Sequence, residues 1–289
     1  MNINNPLSHR NKEPERSVLY IVGTPIGNLD DISIRAINIL KNVSLIACED
    51  TRKTGRLLKH INISNKLVSF NEYNSMKKLD YLISLLQKGE SLAVVSDAGM
   101  PLISDPGESM VKRVKDNNLD VICIPGPCAA ITALVSSGLE TSKFTFYGFL
   151  PKTNVDRKLL LKEITENDKT SIIYESPKRI TRLLTELKEL CGGDKRLVLL
   201  KELTKRYERH FGDKIDLVLD QIKAIEPKGE YTLIISGNKK DKNHNLITNE
   251  KLIIDLQNLI KAGLSHSAAS NYLSKKTGLP KNQIYKLII

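Results

Sequence analysis

Tryptophan is absent from this chain, and aromatic residues make up only 5% of its 289 positions. That scarcity argues against a non-catalytic module holding RNA on an aromatic platform, because such modules stack bases on aromatic rings. Cysteine is also sparse. Cys48, Cys123, Cys128 and Cys191 form no C-x-x-C pair, so they read as buried reduced thiols and not as zinc ligands. The five histidines (His9, His60, His210, His244 and His266) are scattered, and no metal is expected. No apolar run reaches the roughly 18 residues of a membrane span. Residues 1–16 lack the apolar stretch of a signal peptide and read as a loose tail. The expectation is a cytoplasmic protein with no membrane partner. Two nucleotide signatures are missing as well. Gly23 and Gly27 are spaced G-x-x-x-G, no Walker lysine follows, and no G-x-S-x-G elbow occurs, which disfavours dinucleotide, P-loop and serine-hydrolase chemistry.

What the chain does have is a set of short apolar runs, each leading into a loop rich in glycine, proline or charge. Leu19–Val22 leads into Gly23-Thr24-Pro25-Ile26-Gly27-Asn28-Leu29. Val43–Cys48 leads into Glu49-Asp50-Thr51-Arg52-Lys53. Leu92–Ser96 leads into Asp97-Ala98-Gly99-Met100-Pro101, and Val121–Ile124 into Pro125-Gly126-Pro127-Cys128-Ala129-Ala130. The runs have the length of buried strands, and helical spacing appears between them over 31–40, 77–87, 108–115 and 129–137. A doubly wound parallel sheet is expected. Ligands of such sheets bind beyond the carboxyl ends of the strands, where these loops gather.

After Phe144–Pro151, read as a strand and hinge, the pattern restarts. Strands are expected at 170–174, 197–201 and 231–236, with helices at 179–190 and 211–222. The expected division is a tail (1–16), an N-terminal α/β domain (17–143), a second α/β domain (144–238), and a linker with a basic helical appendage (239–289). That last segment carries nine lysines against Asp241, Glu250 and Asp255. Its two helices around Gly263 resemble a helix-turn-helix. With a net charge of +11 for the whole chain, it favours a polyanionic partner.

Individual residues suggest a chemistry. Glu49 and Asp50 could polarise a hydroxyl while Arg52 and Lys53 hold a phosphate, although an isolated charged turn is ordinarily just solvated. Asp97 can accept from a ligand amine or hydroxyl, Gly99 permits close backbone approach, and Met100 with Pro101 offers apolar contact to a ring. Asp105-Pro106-Gly107 reads as the cap of the next helix. Lys178, Arg179, Lys201, Lys205 and Arg206 could extend a basic track, and equally could be an ordinary solvated face.

Taken together, the 23–29, 49–52, 96–99, 125–130, 148–151 and 174–176 segments resemble the ribosomal RNA small subunit methyltransferase I family of the tetrapyrrole methylase superfamily. The resemblance covers about residues 17–238. It implies S-adenosylmethionine as methyl donor, a homodimer, and two α/β domains with the donor between them. It also implies transfer to the ribose 2′-hydroxyl of a decoding-region cytidine in the 16S rRNA of the small ribosomal subunit. By the same resemblance, donor contacts fall at Pro25, Asp97, Met100, Cys128 and Ala129, with Tyr174, Ser176 and Thr232 from the second domain; Gly99, read above as admitting close backbone approach, is the ninth expected contact. Met100 stands where the family often has threonine. Two other readings stay open: a methylase of a small molecule such as a tetrapyrrole, and a non-catalytic RNA-binding module.

Overall fold

The computed structural model describes residues 12–70, 75–105, 108–238, 249–277 and 279–288. The chain divides into two compact units after Gly237. The expected linker at 239–248, most of the expected tail, and Pro106 with Gly107 lie outside the described residues.

The first half of the larger unit runs β1 (Val18–Val22), α1 (Ile34–Asn42), β2 (Leu45–Cys48), α2 (Thr51–His60), β3 (Leu67–Ser69), α3 (Ser75–Gln87), β4 (Leu92–Val95), α4 (Glu108–Asp116), β5 (Asp120–Ile124) and α5 (Ala129–Ser136). Its five strands pair in the order β3-β2-β4-β1-β5, all parallel. Side chains alternate between faces. Val18, Tyr20, Val22, Ala93 and Val95 pack under α1, whereas Leu19, Ile21, Leu92 and Val94 pack against α3 and α4. Burial of β1, β2 and β4 on both faces is why they read as unbroken apolar runs. Every strand therefore delivers its following loop to one rim.

The second half runs β6 (Phe144–Phe149), α6 (Asn154–Glu166), β7 (Thr170–Glu175), α7 (Pro177–Cys191), β8 (Arg196–Lys201), β9 (Arg209–Lys214), α8 (Ile215–Lys223) and β10 (Tyr231–Ile235). The sheet order is β6-β7-β10-β8-β9. Only β6 and β7 are parallel; the other pairs are antiparallel. One face of this sheet is covered by α6, α7 and α8. The other is covered by α5, whose Ala130, Ala133 and Leu134 pack on Ile172, Leu200 and Ile234. Thus α5 follows the first sheet in sequence but belongs to the core of the second. The Tyr174 hydroxyl accepts the Ala130 N–H at 3.0 Å and pins the start of that helix.

Four expectations are corrected. The helix expected over 211–222 begins only at Ile215; residues 209–214 form an edge strand in which Phe211 alone is buried. Of the charged loop expected at 49–53 only Glu49 and Asp50 lie outside a helix, because α2 starts at Thr51 with Asp50 as its cap. The helix expected from Asp31 starts at Ile34: Ser33 accepts the Ala36 N–H as its cap, so Ile32 lies outside it. The cysteines are all free thiols, yet only Cys48 is buried; Cys128 and Cys191 are half-buried and Cys123 is exposed.

The smaller unit holds α9 (Asn249–Lys261), α10 (His266–Thr277), α11 (Lys281–Tyr285) and a 3-10 turn at Lys286–Ile288, around Leu252, Leu256, Ala269, Leu273 and Ile284. Among the described residues no helix is long and apolar enough to cross a membrane.

Candidate active site

The loops after β1, β4 and β5 meet at the rim of the first sheet. Thr24 and Gly99 exchange backbone hydrogen bonds, Thr24 N–H donating at 2.9 Å and Gly99 N–H at 3.1 Å, and Gly23 N–H donates to the Ile124 carbonyl at 3.1 Å. Gly99 adopts φ +83°, as do Leu102 (φ 74°) and Ser104 (φ 63°) in the same left-handed region. Two strained non-glycine residues in one loop mark backbone held in place by its surroundings.

Between this rim and the second sheet lies a cavity of ≈ 400 Å³, within the ~300–1,000 Å³ typical of small-molecule sites. Glu49, Asp97, Gly99, Met100, Cys128 and Ala129 line it from the first half, and Tyr174, Ser176 and Thr232 from the second. So eight of the nine expected donor contacts converge; Pro25 is buried and does not line the cavity. The lining also includes Asp105, Phe149, Glu175 and Glu230, which sequence reasoning did not assign to a ligand. Phe149 packs against Tyr174 at a tilt of 59° and Phe146 meets it edge-on at 72°, with centroids 5.5 and 5.1 Å away. The Gly-Phe-Leu-Pro segment was a signal for Phe149. Glu230 carried none.

The two acidic candidates separate. Glu49 faces the cavity, whereas Asp50 is absent from its lining. The Asp50 carboxylate accepts the Arg52 N–H at 2.8 Å and pairs with the Arg52 guanidinium at 2.8 Å. Those bonds hold it well below the usual carboxylate range. Asp97 is fixed from two sides, by the Asp50 N–H at 3.1 Å and the Lys53 ammonium at 2.7 Å. Burial, then the charges of Asp97 and Asp105, pushes the Glu49 carboxyl up. Burial also raises Asp105, with Asp97 adding to it and a Ser96 hydrogen bond opposing it. Burial pushes the Tyr174 phenol up as well.

The basic candidates sit outside this cavity. Arg52 and Lys53 occupy the first turn of α2 with exposed side chains. Lys178 is exposed on the first turn of α7. Lys205 is held between Glu202 and Glu230, each at 2.9 Å. Arg179 lines a separate pocket.

An acid whose folded pKa is raised holds its proton more tightly in the folded state. Its ionisation therefore costs stability as pH rises through that raised pKa. The ligand-free protein is accordingly expected to lose stability as pH rises through the raised values of Glu49 and Asp105. Asp105→Asn should raise the melting temperature at pH 7–8 and not at pH 4, by calorimetry across pH.

A parallel, doubly wound sheet joined through α5 to a mixed sheet, with a cleft at the strands' carboxyl ends, defines a class of protein. Residues 18–217 match the Tetrapyrrole (Corrin/Porphyrin) Methylases, and the chain belongs to that family. Two solved structures share the fold. A cobalt precorrin-4 methyltransferase aligns at TM-score 0.59 and 14% identity, covering 76% of this chain and 95% of that one. A uroporphyrin-III-C-methyltransferase from Thermus thermophilus aligns at TM-score 0.55 and 17% identity, covering 76% and 94%. Nearer relatives carry the name ribosomal RNA small subunit methyltransferase I, and it is within their family that this chain falls. The Synechocystis sp. protein is 40% identical over 270 residues, 93% of this chain and 96% of its own length. That of Streptococcus pyogenes serotype M3 is 41% identical over 268 residues, 93% of each. That of Buchnera aphidicola subsp. Schizaphis graminum is 41% identical over 272 residues, 93% and 94%.

Proposed function

We propose that this protein transfers a methyl group from S-adenosylmethionine to the ribose 2′-hydroxyl of a decoding-region cytidine in 16S rRNA. It would act on the small ribosomal subunit, in the cytoplasm and as a homodimer. The observation that carries the donor assignment is the charge of the cleft. The charges of Asp97 and Asp105 disfavour ionisation of Glu49, and that of Asp97 disfavours ionisation of Asp105, while Lys53 alone is within ion-pair reach of Asp97 among the described residues. A cationic ligand relieves that repulsion, and S-adenosylmethionine carries both a sulfonium and an ammonium. Phe149 and Tyr174 offer ring faces for an adenine. Gly99 admits close backbone contact.

When bound, the donor supplies a methyl on a sulfonium whose thioether is a good leaving group. The chain's own contribution begins with position: main chain at Gly99, Met100, Cys128 and Ala129 fixes one side of the cleft. Orientation of this kind is worth up to ~7–11 kcal/mol of barrier. Glu49 accepts the proton of the attacking hydroxyl. Its raised pKa makes it a stronger base than an ordinary carboxylate. Asp97, locked by Lys53 and the Asp50 N–H, holds the cationic side of the donor. Arg52, Lys53 and Lys178 supply cations for RNA phosphates. The +11 net charge and the printed names of the 40–41% identical relatives support RNA as acceptor.

The test joins calorimetry with S-adenosylmethionine to transfer of labelled methyl. Label is expected in 16S rRNA of 30S subunits isolated from cells lacking the protein, at an alkali-resistant dinucleotide diagnostic of a 2′-O-methyl. Label in a base, or in uroporphyrinogen instead of RNA, would sink the proposal.

A further inference from the structure

Next to the cleft, and sharing Ser176 with it, is a second pocket of ≈ 300 Å³ lined by Pro151, Lys152, Arg157, Ser176, Arg179 and Arg182. Four of the six are cationic and none is acidic. Arg157, on α6, is the largest fully buried side chain among the described residues, with 2% exposure. Its Nε donates to Glu186 at 2.8 Å and its Nη1 to Glu175 at 3.4 Å, but its buried Nη2 has no partner. Arg179 repeats the pattern: Nη2 pairs with Glu175 at 2.8 Å, while a buried Nη1 has no partner. Arg182 bonds Glu186 at 2.8 Å and Asn154 at 2.9 Å. Glu175 and Glu186 thus position the three guanidinium groups and neutralise only part of their charge. Ser176 caps the 15-residue α7 without a side-chain cap bond, so the positive end of that helix opens onto the same place.

Buried guanidinium N–H groups are seldom left unpaired. A planar fork with a free edge suits a tetrahedral oxyanion better than it suits water. Resting on the RNA methyltransferase reading, we infer that this pocket captures one phosphodiester of the RNA strand close to the reacting ribose, setting the register of the target nucleotide in the cleft. Ser176, common to both pockets, is the link between the phosphate seat and the methyl transfer. Glu175 is a positioning residue here, since it acts through Arg157 and Arg179.

The experiment uses the full-length protein and the variants Arg179→Met and Arg182→Met. Arg157→Met is avoided as sole evidence because it strands Glu175 and Glu186 and could unfold the chain. Expected for both variants is an unchanged Kd for S-adenosylmethionine. The KM for 30S subunits should rise about tenfold, and the salt dependence of RNA binding should fall by about one phosphate contact. An RNA fragment bearing a single neutral methylphosphonate should bind wild type worse at one linkage only. Arg179→Met should be indifferent to that same linkage. Inorganic phosphate should stabilise wild type against heat and not Arg179→Met. Weaker S-adenosylmethionine binding in the variants would overturn the inference, since the pocket would then hold the donor's carboxylate. No phosphate stabilisation with an unchanged KM would overturn it too. If wild type binds phosphate but never methylates 30S subunits, the RNA assignment falls while the oxyanion pocket stands.

Discussion

Gly126→Ala should abolish measurable binding of S-adenosylmethionine, raising Kd at least a hundredfold by calorimetry, with a melting temperature several degrees lower. A Cβ on Gly126 would stand 2.8 Å from the carbonyl carbon and Cα of Gly23 and 2.9 Å from its oxygen. In the other direction, a Cβ on Gly23 would lie 2.7 Å from the Gly126 Cα and 2.8 Å from its nitrogen. The obstacle is main chain on both sides, so no rotamer change relieves it. The loops after β1 and β5 would have to part. Overpacking of this sort costs about 1–3 kcal/mol, and a displacement of about 1 Å in a positioning loop can cost ~10²-fold in rate. Gly55→Ala is the control. Gly55 lies within α2 with only the Leu67 Cδ1 near, at 3.9 Å. Alanine there should gain up to about 1 kcal/mol of stability from helix propensity and leave binding unchanged. Wild-type affinity in Gly126→Ala would mean that the crossing of these loops does not shape the donor site.

Glu49→Gln should lower kcat on 30S subunits by ~10²–10⁴ with the protein folded and S-adenosylmethionine still bound. The pH profile is the sharper readout. Burial and the neighbouring Asp97 and Asp105 raise the Glu49 pKa, so wild-type kcat should fall as pH drops through a value above the ordinary glutamate range. Glu49→Gln should lack that acid limb. The variant should also be more stable than wild type at neutral pH, because it removes a charge that folding disfavours. Asp50→Asn gives the contrast. Asparagine caps helices as well as aspartate does, and Asp50 lies outside the cavity lining, so its kcat should change little. A normal kcat in Glu49→Gln with a collapse in Asp50→Asn would reverse the roles assigned to the two neighbours.

That pair of residues shows where sequence reading stops. Strands β1, β2 and β4 are legible because both faces of each are buried, leaving apolar runs with helical segments between them, the pattern of a parallel sheet. The convergence of their loops follows from that topology. The side to which Asp50 turns does not: adjacent residues after a strand differ by half a turn, and a helix beginning at Thr51 takes one carboxylate for its own N–H groups. Strand β9 hid for another reason. As an edge strand with Phe211 its only buried residue, it has a polar pattern that the following helix absorbs. Asp105 read as a helix cap, a role that does not mark a cleft residue, and Glu230 had no signature, since it reaches the cleft from the second half of the chain. Helix α6 went unread, although Leu161 and Ile164 mark its buried side. The charges around them (Asp156, Arg157, Lys158, Lys162 and Glu163) dilute the apolar face.

The placement of α5 bears on how such proteins can be recombined. Its Ala130, Ala133 and Leu134 fill the underside of a sheet encoded later in the chain. Its Ala130 N–H is tied there by the Tyr174 hydroxyl. A chimera built by cutting at the junction suggested by sequence, near residue 143, would carry α5 away with the wrong fragment and leave the transplanted sheet bare on one side. The workable crossover is upstream, between β5 and α5. Exchange of acceptor halves among members of this family would have to respect that boundary, whatever their overall identity.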